Sequence, residues 1–333
     1  MKKRGVGIAT IMFGFGYGEG FPDHSIASLR VKPDGRVELK TAAADVGQGV
    51  HTIVTQIAAE VLSVPVDMID LVGGDTAITK NSGSTSATRQ TFFTGNAVKN
   101  AAQMLKGQIN DLAVKVFKKT YPELYLDGGY VVPHGAEEDK ISFAELARIA
   151  ESKGEKLEAE ACYFPITTPP DPETGQGERV YMSYTFVTQI AEVEVDTETG
   201  QVEVLRFVTV PDVGQAIHPQ NVEGQIEGGT AMGMGMALME EVIFDEEGFL
   251  LNPDFSTYLI PTALDVPRIE TVIVEDEEPL GPFGAKGIGE PATIATAPAI
   301  INAIYNACGV RIKELPATPE KILRELNKKS AGN

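Results

Sequence analysis

Residues 26–62 read IASLRVKPDGRVELKTAAADVGQGVHTIVTQIAAEVL. The segments Ile26–Val31 and Val37–Thr41 alternate in polarity around a Pro-Asp-Gly turn, a pattern that predicts two antiparallel strands joined by a tight turn. The loop Asp45–Gly49 follows them, and apolar residues then recur at helical spacing from Val50 to Leu62. The stretch therefore predicts a hairpin, a glycine loop and a helix, in that order.

The same order returns in residues 190–215, which read IAEVEVDTETGQVEVLRFVTVPDVGQ. Two strand patterns, at 190–195 and 202–210, flank a turn and lead into the same Asp-Val-Gly-Gln tetrapeptide that follows the first hairpin. A second helix is predicted to begin near Pro219. Because order, turn chemistry and loop sequence agree, we favour two related lobes; two unrelated hairpins are the alternative.

Hairpins with short turns dominate over regular strand–helix alternation, which favours an α+β fold with mixed or antiparallel sheets and packed helices. Further helices are predicted at 95–118, 142–152, 298–307 and 319–328, and Ser142 with Glu145 matches a capping box. The glycines and methionines of residues 228–239 predict close helix packing rather than a soft-metal site. The proline-rich stretch 162–179 predicts an extended connection, so we expect lobes of residues 1–165 and 166–333.

Composition excludes several function classes. The 333 residues include 28 Lys and Arg against 47 Asp and Glu, and the net charge of −19 disfavours binding to nucleic acid. Two cysteines are too few to hold an iron–sulfur cluster, and the four histidines lack metal-ligand spacing, so we expect no metal held by protein ligands. The N-terminal apolar stretch is interrupted by glycines and no run approaches 18 apolar residues, so we expect a cytoplasmic protein that does not enter membranes.

The segment 281–292, GPFGAKGIGEPA, carries one acid among glycines directly before a predicted helix. Pro291 suits the first helical turn, which puts Glu290 at the cap position, although glutamate is a poor cap. Glycines allow close approach of a ligand and the helix start fixes the carboxylate, as a general base requires. A flexible loop with an incidental surface acid is the alternative.

A second candidate segment is rich in hydroxyls and small residues, which expose backbone amides to a bound anion. It comprises Ser84, Thr85, Ser86, Ala87, Thr88 and Arg89. The Arg89 guanidinium adds a bidentate donor for a phosphate or a pterin, so the segment predicts a cofactor cradle or, alternatively, a polar loop with an N-cap. Gln48 and Gln225 lie in glycine-flanked loops, and a glutamine amide suits the edge of a heterocycle because it both donates and accepts.

These segments resemble the motifs of the molybdopterin-binding subunit of the molybdenum hydroxylases, the family of xanthine dehydrogenase, aldehyde oxidase and nicotinate dehydrogenase. The matching stretches are 45–51, 83–98, 212–229 and 281–291, in the family's order. The resemblance implies a fold of the xanthine dehydrogenase type, with both lobes binding cofactor and the second carrying the glutamate loop. In extent the chain is most similar to the medium molybdopterin subunit of nicotinate dehydrogenase.

The same resemblance implies site residues and chemistry. Glu290 is then the catalytic base; Gly47, Gln48 and Gly49 contact the pterin; Ser84 to Arg89 form the cradle, with Ala87 close to the metal; and Gln225 binds the cofactor from the second lobe. The molybdenum is held by the cofactor's own sulfurs, in a molybdopterin of the cytosine dinucleotide form. The substrate is an aromatic N-heterocycle, nicotinate- or purine-like, or an aldehyde, and water supplies the oxygen.

The family also carries an earlier cofactor-binding half that this sequence lacks. The resemblance therefore implies partner chains: a larger molybdopterin subunit, an iron–sulfur subunit and an FAD subunit, with activity only in the complex. A fragment of a longer chain would give the same sequence. The alternative function is a non-catalytic protein that holds or assembles the cofactor, against which the intact Glu290 loop argues.

Overall fold

The computed structural model describes residues 1–117 and 120–331. The strands are β1 (Lys2–Gly14), β2 (Ser25–Val31), β3 (Val37–Thr41), β4 (Ile69–Gly73), β5 (Leu124–Asp127), β6 (Tyr130–Pro133), β7 (Ile141–Ser142), β8 (Glu158–Tyr163), β9 (Tyr184–Asp196), β10 (Val202–Pro211) and β11 (Ile269–Thr271). The helices are α1 (Val50–Leu62), α2 (Gln90–Val116), α3 (Phe143–Ser152), α4 (Pro219–Leu238), α5 (Pro291–Ile294), α6 (Thr296–Cys308) and α7 (Pro319–Ala331). Within these described parts, none of the helices has the length and apolar character needed to cross a bilayer.

The chain divides by its contacts into two compact units. The first unit comprises Gly14–Ser183 and Glu277–Gly287, and the second comprises Met1–Phe13, Tyr184–Asp276 and Ile288–Asn333. These bounds differ from the lobes 1–165 and 166–333 drawn from the sequence, because each unit takes in a segment remote from its main body. The sequence-based division into cofactor-binding lobes stays a prediction.

The first unit is built on a sheet with strand order β4-β3-β2-β8. Strands β2 and β3 form the antiparallel hairpin, with Ala27 opposite Thr41 and Val31 opposite Val37, while β4 lies parallel to β3. Buried and partly exposed residues alternate strictly along β2 and β3, as the period of a half-buried strand requires. The sheet therefore has one core-facing side, and the glycine loop follows the second strand of the hairpin.

The second unit repeats this arrangement. Its sheet has the order β1-β9-β10-β11, in which β9 and β10 form an antiparallel hairpin and β11 lies parallel to β10. In both units a hairpin is followed by an Asp-Val-Gly-Gln loop, a helix and a strand parallel to the second hairpin strand. The predicted α+β fold with mixed sheets and two related halves is confirmed.

Glycines on α4 permit the close helix packing that the sequence predicts. A Cβ at Gly229 would lie 2.6 Å from the Cβ of Ala292, and one at Gly233 would lie 2.4 Å from the Cβ of Thr296. Both distances are too short for real side chains, so α4 approaches α5 and α6 more closely than any larger residue would allow. The capping box of Ser142 and Glu145 is also present at the start of α3.

One helix begins earlier than its sequence pattern indicates. The prediction places its start at Gly95, whereas α2 begins at Gln90; the predicted end at Lys118 lies outside the described residues. Gly95 is therefore inside the helix, where a Cβ would lie 2.8 Å from Pro282 and 3.0 Å from Ile57. The glycine is explained by this close packing rather than by a helix boundary.

Candidate functional site

The glycine loop after the first hairpin closes on the side chain of Asp45. Its Oδ1 accepts hydrogen bonds from the amides of Gly47 (2.9 Å) and Gly49 (3.3 Å), and its Oδ2 accepts one from the amide of His51 (3.4 Å). Burial acts to raise the pKa of Asp45, but the amide hydrogen bonds outweigh it and hold the pKa below its ordinary value. A charged Asp45 therefore shapes the loop.

Two residues of this loop can contact a ligand: Gly47 borders open space, and Gln48 retains hydrogen-bonding capacity. Gly47 has a φ of 107°, and a Cβ built there would meet no atom within 4 Å. The Oε1 of Gln48 accepts a hydrogen bond from the amide of Val46 (2.7 Å), and its Nε2 donates to the carbonyl of Ala44 (3.1 Å). Because an amide side chain has two donor hydrogens and two acceptor lone pairs, Gln48 can bind a ligand while keeping these contacts.

The hydroxyl-rich loop holds two consecutive residues in the left-handed region. Ala87 has a φ of 51° and Thr88 a φ of 54°, which is strained for any residue other than glycine and most of all for a β-branched one. The carbonyl of Ala87 accepts a hydrogen bond from the amide of Gly16 (2.8 Å). A Cβ at Gly287 would lie 2.2 Å from the Thr88 carbonyl oxygen, so this glycine is packed against the loop. Strain that is held by such neighbours is typical of functional sites.

Arg89 lies inside the first unit, with 1% of its surface exposed. Its Nε and Nη2 contact Oδ1 of Asp23 (2.8 and 2.6 Å). Its Nη1 donates to the carbonyls of Ser82 (2.6 Å) and Ser84 (3.1 Å), and Nη2 also donates to the carbonyl of His24 (2.7 Å). These five contacts match the five donor hydrogens of a guanidinium. The expectation that the Arg89 side chain binds an anion does not fit its burial; instead it supports the loop from within.

The first unit brings the two predicted binding loops together. The hydroxyl of Thr85 donates to the carbonyl of Ala44, next to the Asp45 loop, at 2.7 Å. The Nε2 of Gln90 donates to the carbonyl of Ser84 (3.0 Å) and to the hydroxyl of Thr85 (3.1 Å). Segments about 40 residues apart in sequence thus form one continuous polar surface.

Sequence reasoning missed Tyr17 at this surface. The Tyr17 hydroxyl contacts the hydroxyls of Ser84 and Ser86, and Ser84 and Ser86 lie 2.7 Å apart. These hydrogen bonds lower the pKa of Tyr17 below its ordinary value. The available signal was a tyrosine among the alternating glycines of residues 14–20.

In the second unit, the repeated tetrapeptide folds in the same way. Oδ1 of Asp212 accepts a hydrogen bond from the amide of Gly214 at 3.1 Å, as Asp45 does from Gly47. The helix that follows carries Gln225, which is half-buried. Its neighbour Ile226 is fully buried. Because Ile226 faces the core, the helical geometry places the Gln225 side chain beside this buried face, at the edge of the core.

Glu290 occupies the cap position of α5, with Pro291 as the first helical residue, as the sequence predicts. Its side chain does not cap the helix and lies exposed on the surface of the second unit. Ile288 and Ala292, two residues to either side, are buried in one apolar cluster that also contains Ile226. The second unit thus holds the backbone next to Gln225 and the backbone next to Glu290 against a common core.

Comparison with known proteins identifies the family. Residues 1–267 match the family described as molybdopterin cofactor-binding domain. The chain is 33% identical over 330 residues to 6-hydroxypseudooxynicotine dehydrogenase complex subunit gamma of Paenarthrobacter nicotinovorans, covering 96% of this chain and 39% of the relative. It is 32% identical over 331 residues to a putative xanthine dehydrogenase molybdenum-binding subunit of Escherichia coli, covering 98% and 42%.

Solved structures give the same result. The fold matches quinoline 2-oxidoreductase from Pseudomonas putida with a TM-score of 0.84 and 30% identity, over 98% of this chain and 42% of that one. It matches the aldehyde oxidoreductase from Desulfovibrio desulfuricans with a TM-score of 0.81 and 33% identity, over 97% and 32%. The chain spans less than half the length of these relatives. It belongs to the family of molybdopterin cofactor-binding domains that the molybdenum hydroxylases carry.

Proposed function

We propose that this chain is the molybdopterin-binding part of a multi-subunit molybdenum hydroxylase that oxidises an aromatic N-heterocycle, nicotinate- or purine-like, or an aldehyde, with oxygen taken from water. The observation that carries the proposal is the strained backbone of Ala87 and Thr88, held from within by Arg89 and joined to the loop of Gly47 and Gln48. Such strain lowers the stability of the folded chain, so its presence in this loop favours a role in ligand binding.

The residues of the first unit fit a pterin cofactor. The open space beside Gly47 admits a flat ring that a Cβ would obstruct. The amide of Gln48 and the hydroxyls of Ser84, Thr85 and Ser86 supply the mixture of donors and acceptors that a pterin edge needs.

The roles of the residues follow from this arrangement. Gly47, Gln48, Gly49 and the segment 84–88 bind the cofactor, with Ala87 near the metal, and Gln225 is a further hydrogen-bonding residue for the cofactor. The bound molybdenum cofactor supplies the oxidation–reduction chemistry. Glu290 acts as general base and accepts the proton that must leave when the substrate is oxygenated, while its fixed helix start keeps the carboxylate oriented.

The proposal extends to the cofactor form and the complex. We expect the cytosine dinucleotide form of molybdopterin, and iron–sulfur and FAD subunits that carry the electrons away, in a cytoplasmic assembly. Support for partner chains comes from the names of the relatives: the first is named as one subunit of a complex, and the second as a molybdenum-binding subunit. A larger molybdopterin subunit is a further partner in this proposal.

A surface of the second unit suits such a partner. Residues 242–264, here called the apolar loop, expose large hydrophobic side chains, among them Phe255 and Leu264 at 79% and 97%. The backbone of the loop is ordered by polar side chains: Asn252 accepts from the amide of Ile243 (2.9 Å), and Asp245 accepts from the amide of Phe249 (2.9 Å). A loop whose backbone is held by such hydrogen bonds while its apolar side chains are exposed is preorganised for a protein interface.

The double substitution Phe255→Asp and Leu264→Asp is therefore expected to raise the Kd for the larger molybdopterin subunit by roughly 30-fold or more, as the loss of an interface anchor does. The measurement is titration of the two purified subunits. Val114→Asp is the matched control, since Val114 is similarly exposed on α2 of the first unit, and its Kd should stay within about twofold of wild type. Equal effects of the two variants would contradict this assignment of the surface.

Gly47→Ala tests the cofactor cradle. The variant is expected to lower the molybdenum and pterin content of the complex by about tenfold or more, because the new methyl group enters the open space and strains the backbone. Content is measured by elemental analysis and by fluorescence of the oxidised pterin, after expression with the partner subunits in a host that makes molybdopterin.

Gly128→Ala is the control for backbone strain alone. Gly128 also has a positive φ, of 54°, and open space around it, but it lies in the turn between β5 and β6. Both variants should lose roughly 1–2 kcal/mol of stability, whereas only Gly47→Ala should lose cofactor. A wild-type complex that contains no molybdenum would refute the proposed function itself.

A further inference from the structure

A buried polar cluster crosses the apolar core of the second unit. Its members, Gln189 of β9, Thr209 of β10, Thr230 of α4 and Thr296 of α6, are all fully buried. On the same face of β9 the neighbouring buried positions Ala191 and Val193 are apolar. From Val187 to Val195, Gln189 is thus the one polar residue among the core-facing positions of β9.

The side-chain amide of Gln189 links four elements of the unit. Its Nε2, which has two donor hydrogens, lies within hydrogen-bonding distance of three acceptors: the hydroxyls of Thr209 (3.1 Å) and Thr230 (3.3 Å) and the backbone carbonyl of Ala292 in α5 (3.0 Å). Its Oε1 accepts a hydrogen bond from the hydroxyl of Thr296 (3.0 Å). Both ends of the amide are therefore engaged, and in a low-dielectric core such a satisfied network is rigid.

Helix α5 is held by this network. It has only four residues, Pro291–Ile294, and one residue separates it from α6, whose first residue also bonds to Gln189. Its position is set by tertiary contacts: Ile288 and Ala292 pack in the apolar cluster, and the Ala292 carbonyl is bonded to Gln189. The residue before this turn is Glu290, so whatever fixes α5 also fixes the backbone that carries the carboxylate.

We propose that Gln189 is a positioning residue for Glu290: its buried amide holds the one-turn helix α5 against the sheet and so fixes the carboxylate of the general base. The inference rests on the proposed function, which assigns the base role to Glu290. Gln189 itself is buried and acts on the reaction only through the Ala292 carbonyl.

The first test is Gln189→Met in the assembled complex, which keeps the length of the side chain and removes its hydrogen bonds. We expect kcat to fall roughly tenfold to 10²-fold, since a small displacement of a catalytic group has effects of this size, with KM unchanged within about twofold. We also expect faster amide hydrogen exchange in peptides covering residues 288–296. This exchange readout does not depend on turnover.

Two further variants separate positioning from general stability. Thr296→Val removes one hydrogen bond of the network and should show the same local increase in exchange, whereas Thr296→Ser keeps the hydroxyl and should restore wild-type values. Val193→Ala, on the same buried face of β9, destabilises the core in a different apolar cluster from that of Ala292 and should leave kcat unchanged per folded molecule.

The inference is overturned if Gln189→Met leaves exchange at 288–296 at the wild-type rate, or if its kcat and exchange changes are only those of Val193→Ala. It is also overturned if Gln189→Met raises exchange at 288–296 but leaves kcat unchanged, while Glu290→Gln inactivates the same complex. Full activity of Glu290→Gln would instead refute the base role in the proposed function, and the exchange data would still report whether Gln189 holds α5.

Discussion

Replacing Glu290 with glutamine is expected to lower kcat of the assembled enzyme by about 10²- to 10⁴-fold, the usual contribution of a general base. Glutamine keeps the size and polarity of the side chain but cannot accept a proton. The backbone around position 290 is held by Ile288 and Ala292, so we expect the helix start to be unchanged. The measurement is steady-state turnover of a nicotinate- or purine-like heterocycle and of an aldehyde by the complex.

The molybdenum content of this variant should equal that of wild type, because the proposed cofactor cradle lies in the first unit. Glu314→Gln is the matched control: Glu314 is an exposed acid of the second unit, and its replacement should leave both turnover and cofactor content unchanged. Wild-type turnover by Glu290→Gln would remove the catalytic interpretation. It would leave the non-catalytic, cofactor-holding function as the better account of the cradle.

Arg89→Met is expected to lower the free energy of unfolding of the first unit by about 3–5 kcal/mol, the range for removing one partner of a buried ion pair. The side chains of Arg89 and Asp23 are 0% and 5% exposed. The substitution leaves the Asp23 carboxylate uncompensated and removes the guanidinium donors of the Ser82 and His24 carbonyls, whereas the Ser84 carbonyl keeps its hydrogen bond from Gln90. The measurement is urea unfolding of the chain, followed by probes in the first unit.

Two comparisons make this prediction specific. The double variant Asp23→Asn with Arg89→Met should recover part of the lost stability, because it removes the unpaired charge. Arg206→Met, which breaks the exposed pair of Arg206 with Glu270, should change the free energy of unfolding far less, since solvent screens such pairs. If Arg89→Met is no more harmful than Arg206→Met, the buried guanidinium does not support the loop.

The position of Arg89 differs from the expectation drawn from the sequence, because its side chain is buried. Its sequence neighbours, small and hydroxyl-bearing, indicate an anion-binding loop, and an arginine at the end of such a loop suggests a ligand donor. Burial is not a local property: the guanidinium is covered because residues 23–24 and 82–84 close around it. Gly83 confirms the close approach, since a Cβ there would lie 2.3 Å from Nη1.

Gln189 is a polar residue at a core-facing position of a strand, and this pattern is visible in the sequence. Within β9, the buried positions are Thr185, Val187, Gln189, Ala191, Val193 and Val195. An amide among these mostly apolar positions must find partners, so the sequence does indicate a buried polar contact. It does not indicate which elements supply the partners, since Thr296 and the Ala292 carbonyl lie more than 100 residues away.

The amino-acid sequence by itself determined the local elements of this protein: both hairpins, their Asp-Val-Gly-Gln loops, the capping box at Ser142 and the helix start at Glu290. These follow from interactions within a few residues, such as turn chemistry, side-chain period and capping. Only the tertiary structure decided that β1 joins the sheet of β9, that Arg89 is internal and that Gln189 reaches α5. Those outcomes depend on which distant segments exclude water from one another, and the free energy of that burial belongs to the packed unit rather than to any stretch of the chain.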